Sequence, residues 1–92
     1  YHFMSNERTL KRQINYICEE LYTDFIAASL YGNNPKDADI EAIFLSIARL
    51  QQHFISRISH PEPGMAAKQY YRDLKEQFSA QVSEILDHIN NL

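Results

Sequence analysis

The chain has few of the residues that interrupt helices. Its 92 residues include two glycines and three prolines, so long uninterrupted elements are expected, with breaks where those residues cluster. Cys18 is the only cysteine. That excludes a disulfide within the chain and the bridge-stapled pattern of small secreted domains. A lone thiol suits a reducing compartment, and the reading is a cytoplasmic protein. The longest apolar stretch, 25–31, falls well short of the ~20 residues that cross a bilayer, so no membrane contact is expected. Met4 is followed by Ser5, Asn6, Glu7 and Arg8, with no apolar segment of a leader peptide. Tyr1, His2 and Phe3 precede Met4, and residues 1–4 are expected to be unordered or an added extension. A basic excess is also missing. The net charge of -3 at pH 7 argues against a general nucleic-acid binder.

Periodic apolar residues fill the chain. Leu10, Ile14, Ile17, Leu21, Phe25 and Ala28 recur at steps of three and four, which predicts a helix over about 6–31. Ser5 or Asn6 suits its N-cap, and Gly32 suits a left-handed end. Ile40, Ile43, Phe44, Ile47, Leu50, Phe54, Ile55 and Ile58 predict a second helix over about 38–59, capped by Asp37 or Asp39. Pro61 and Pro63 break the chain. Ala67, Tyr71, Leu74, Phe78, Val82, Ile85, Ile89 and Leu92 predict a third helix over about 65–91. Short loops make neighbours antiparallel. The expected fold over residues 1–92 is therefore one all-α domain, an antiparallel three-helix bundle with long first and third helices.

The first helix carries more apolar surface than one bundle face accepts. Tyr22, Ile26 and Leu30 lie off the main stripe, and Tyr16 and Tyr31 add aromatic area. A helix that is apolar on several sides is expected to be covered on several sides. Self-association, commonly as a two-fold homodimer, is the expected use of this surface, and another protein is the alternative partner. Leu45 and Leu86 also fall off their stripes and fit the same role.

The topology separates charge. Arg8, Lys11, Arg12, Arg57, Lys68, Arg72 and Lys75 gather at one end, and Glu19, Glu20, Asp24, Asp37, Asp39, Glu41, Glu84 and Asp87 at the other. The basic end holds two helix N-termini, a combination that attracts anions such as phosphate. The plainer reading is a solvated face, because Glu7, Glu62, Asp73 and Glu76 interrupt it.

No catalytic constellation stands out. A nucleophile elbow and a glycine-rich phosphate loop are both missing. Glu84 and His88 form an i, i+4 surface pair and do not reproduce the Glu-x-x-His repeat of di-iron bundles. No metal or cofactor site is assigned. Gln51 interrupts the second stripe and Gln81 borders the third. As buried amides they would need partners, either each other or a polar ligand. Cys18 reads as packing at the edge of its stripe. The leading expectation is a non-enzymatic protein-interaction module acting as a homodimer. An anion- or nucleic-acid-binding module at the basic end, and a small enzyme with an inter-helix polar pocket near Gln51, Gln81 and Glu20, are the alternatives. Solution mass separates the first from the others. Salt-sensitive binding of phosphate-bearing ligands tests the second. An enclosed polar pocket is the requirement of the third.

Overall fold

A computed structural model describes residues 7–92. Three helices follow one another: α1 (Glu7–Tyr31), α2 (Asp37–Ser59) and α3 (Ala67–Asn90). They form the expected antiparallel three-helix bundle. Asn15 of α1 bonds Gln51 of α2, and Tyr22 stacks on Phe44, so sequence numbers run in opposite directions along that seam. Arg57 of α2 bonds Gln77 of α3, which reverses the direction again. Leu10 and Ile14 then lie beside Leu74 and Phe78, with α1 and α3 parallel. The expected caps Ser5 and Asn6, and the expectation for residues 1–4, lie outside the described residues.

Each helix contributes five buried side chains. They are Leu10, Ile14, Cys18, Leu21 and Phe25; Ile43, Ile47, Leu50, Phe54 and Ile58; and Tyr70, Leu74, Phe78, Ile85 and Ile89. The equal share means that no helix can leave without exposing a third of one continuous core. Burying one such aliphatic or aromatic side chain contributes roughly 1.5–3 kcal/mol. Phe54 lies at the centre, completely covered, with its ring edge-on to Phe78 at 5.3 Å.

Five local expectations need correction. Neither Asp37 nor Asp39 caps α2. Asp37 is already helical, and extended Lys36 precedes it without a side-chain bond, its carbonyl accepting from the amides of Asp39 and Ile40. The two acids act on the dipole of the first turn instead. Gly32 is not left-handed; Asn34 takes that conformation, with φ 51°. Gly32 is needed for close approach. A Cβ there would stand 2.5 Å from the Ala28 carbonyl oxygen and 3.0 Å from that of Leu92. The end of α3 rests on the first loop, and the Asn33 amide donates to the Leu92 carbonyl at 3.3 Å. Helix α3 starts two residues later than expected, because Pro63 and Gly64, the latter at φ 87°, hold Met65 in a turn. Finally, Tyr70 is buried in the position expected for Tyr71, and Cys18 is central to its stripe. The Tyr70 hydroxyl explains its burial. It donates to the Arg57 carbonyl at 2.9 Å and lies 3.4 Å from that of His60, and these are carbonyls that the end of α2 would otherwise leave open.

These contacts give two expected outcomes. Gly32→Ala lowers stability by about 1–3 kcal/mol, and Tyr70→Phe by about 1 kcal/mol. Both are read as lowered midpoints in urea unfolding followed by circular dichroism, with unchanged slope.

Candidate functional site

Three rows of side chains border the α1/α2 seam. The inner row is the core. Above it, Ile40, Phe44, Gln51 and Ile55 form a shoulder on α2. Further out on α1, Tyr22, Ile26 and Leu30 follow one another at steps of four. Ile26 is 55 % exposed, Leu30 69 % and Phe44 49 %, values high enough that these apolar groups meet water along a continuous edge. Tyr22 is half-buried, with its ring 5.8 Å from Phe44, and Phe25 meets the same ring at 6.4 Å. Asp37 and Glu41 border a shallow apolar hollow floored by Phe25, Ile40 and Phe44. Helix α3 lies on the opposite flank. Ile17 lines the α1/α3 groove, and it stands nine residues before Ile26, which is half a turn round the helix.

Three of the five expected interface residues therefore come together, and two do not. Tyr16 lies lower on α1, separated from the row by Glu19, Glu20 and Thr23. Its hydroxyl bonds Glu20, and that bond, with the charge of Glu20, pushes the phenol up from its ordinary value. Tyr31 ends α1 and stands five residues from Ile26, which turns it well away. Phe44 replaces them. Its apolar spacing placed it in the buried stripe, but it stands on the shoulder. The offset was legible in the steps, since 43, 47, 50, 54 and 58 form one tight stripe and 40, 44, 51 and 55 a second.

Neither glutamine is buried; among the described residues no polar or charged residue is. Gln51 shares the shoulder row, and its amide donates to Asn15 Oδ1 at 2.8 Å. Gln81 is exposed on the other side of α2. The two amides do not meet, because one bundle of three helices gives each helix only one inner stripe. Glu20 is exposed on α1, so the polar pocket expected from Gln51, Gln81 and Glu20 is not assembled.

A different polar groove, of about 630 Å³, lies open between α2 and α3, where Arg49 and His53 face Gln81, Glu84 and His88 over Leu50. It holds no activated nucleophile. The nearby Ser46 hydroxyl donates to its own helix, to the Ala42 carbonyl at 2.9 Å. Cys18 is fully buried on α1, and burial pushes its thiol up to about 11, the reverse of what an attacking thiolate needs. Among the described residues, no three of His, Cys, Asp and Glu are grouped to hold a metal ion, and no helix is long and apolar enough to cross a membrane.

The basic end is only partly available to an anion. The Arg57 guanidinium lies over the rings of Phe54 and Tyr70 at 5.5 and 5.6 Å and donates to Gln77 Oε1 at 2.6 Å. Arg72 pairs loosely with Asp73 at 3.7 Å. Arg8, Arg12 and Lys68 are exposed and Lys11 half-buried. Arg57 and Arg72 are thus engaged by other side chains of the bundle.

Comparison with known protein families, known proteins and solved structures found no match.

The Cys18 thiol gives a prediction with a definite sign. Its native value lies above the unfolded one, so the neutral thiol favours the fold at and below pH 9. That contribution is lost as pH rises from 9 toward about 11. Thermal midpoints are expected to fall over that window, and less so in Cys18→Ala. At pH 8 a thiol reagent should label the protein only after denaturation.

Proposed function

We propose that the protein is a non-enzymatic helical interaction module that works as a homodimer through the outer flank of its α1/α2 hairpin. The observation that carries this reading is the exposed row of Ile26, Leu30 and Phe44, continuous with half-buried Tyr22. Single exposed apolar residues are ordinary on a monomer, but a contiguous edge next to acidic residues has the form of a binding surface. The single buried thiol suits a reducing compartment, which favours the cytoplasm.

Solution mass across a concentration series is the direct test. A dimer is expected, and Ile26→Arg, which puts a charge into the exposed apolar row, is expected to shift it to monomer with helix content and thermal midpoint retained. A wild-type chain that stays monomeric at high micromolar concentration overturns the reading.

A further inference from the structure

We propose that the two copies of the dimer pair with their α1 helices antiparallel, so that Arg8 and Arg12 of each copy meet Asp37 and Glu41, respectively, of the other. This arrangement rests on the reading that the α1/α2 flank is the dimer surface, and it names the register of that surface.

The first argument is a symmetry in the sequence of α1. Arg8, Arg12, Glu19, Ile26 and Leu30 are all exposed, and their steps are four, seven, seven and four. At 3.6 residues per turn they fall in one narrow strip along the helix. The strip is symmetric about Glu19 in position but not in chemistry, being basic on one side and apolar on the other. A two-fold axis near Glu19 sets Arg8 of one copy against Leu30 of the other, and Arg12 against Ile26. The aliphatic stems of arginine can then cover the apolar side chains while the guanidinium heads reach beyond them.

The second argument is what lies beyond them. Asn15 bonds Gln51 and Tyr22 stacks on Phe44, and each pair of numbers sums to 66. Extended toward the first loop, the same alignment puts Glu41 beside position 25 of α1 and Asp37 beside position 29. Both acids border the hollow around Phe44. The guanidinium groups that cover Ile26 and Leu30 therefore arrive next to two carboxylates, and the two-fold repeats the arrangement. Arg8 stands in the first turn of α1, where a cation opposes the helix dipole, and an anion from another chain relieves that opposition.

A shorter overlap centred on Ile26 is the competing register. It matches apolar groups to apolar groups, but it brings Asp37 and Glu41 of both copies together and leaves the arginines without partners, a like-charge contact that disfavours pairing. The longer overlap has one like-charge contact, Glu19 with its twin near the axis, against four opposite ones. The overlap also uses the length of α1, whose basic and apolar segments are about 27 Å apart.

A charge-exchange experiment tests the register. One variant is Arg8→Glu with Arg12→Glu, and the other is Asp37→Arg with Glu41→Arg. Each alone should weaken the dimer by about tenfold or more, because like charges then face each other. An equimolar mixture should recover a dimer within about threefold of wild type, since both sets of contacts become attractive again in the heterodimer. Circular dichroism checks that each variant is folded, and Glu41→Arg alone replaces the second variant if Asp37→Arg disturbs the start of α2. A wild-type dimer that neither variant weakens, or two weakened variants that do not recover on mixing, overturns the register and leaves the dimer reading standing. A monomeric wild type overturns both.

Discussion

The structure depends on α2 packing its single stripe against two helices at once. Ile43, Ile47, Leu50, Phe54 and Ile58 all face inward, and both α1 and α3 take their position from them. Because that stripe is narrow, α2 has two shoulders, and their chemistry differs. The shoulder toward α1 carries Ile40, Phe44, Gln51 and Ile55. The flank toward α3 carries Arg49, His53 and Arg57. The apolar edge and the polar groove are consequences of one helix being shared by two neighbours.

The polar contacts between helices sit at the margin of the core and set alignment more than they add stability. Gln51 with Asn15 aligns α1 on α2, and Arg57 with Gln77 aligns α3 on α2. Exposed bonds of this kind contribute little net energy, since water competes for both partners. A slip by one turn would break them and displace the fully buried Phe54 from Phe78. Apolar packing supplies the driving force, and the amides and the guanidinium restrict it to one arrangement.

The fold was legible in the sequence because helix periodicity, loop punctuation and short connections agree. Most stripe residues of α1 and α2, Cys18 and Phe44 excepted, and the break at Pro61–Gly64 could be read directly. What escaped had physical causes. Tyr70 and Tyr71 are adjacent aromatics, and periodicity alone could not decide between them. The choice was made by carbonyls at the end of α2, on a different element. Gly32 looked like a helix terminator, but its constraint comes from the Ala28 carbonyl and from Leu92, sixty residues away. Gln51 and Gln81 looked buried because a stripe read on a flat projection is wider than the face that three helices enclose. Of the candidate surface, Tyr22, Ile26 and Leu30 were legible from spacing. For Phe44 the steps show only an offset from the tight stripe; the degree of its exposure depends on how far α1 reaches over α2.

The contact between Gly32 and the end of α3 also bears on how the bundle assembles. The α1/α2 seam closes across a short loop and joins residues near in sequence, so it forms at small entropic cost. The contact of Asn33 with Leu92 spans most of the chain and closes only after α3 has docked along its whole length. The Asn33 amide is thus a natural clock for the last step of folding, and its exchange with solvent reports opening of the far end of a helix that it does not belong to.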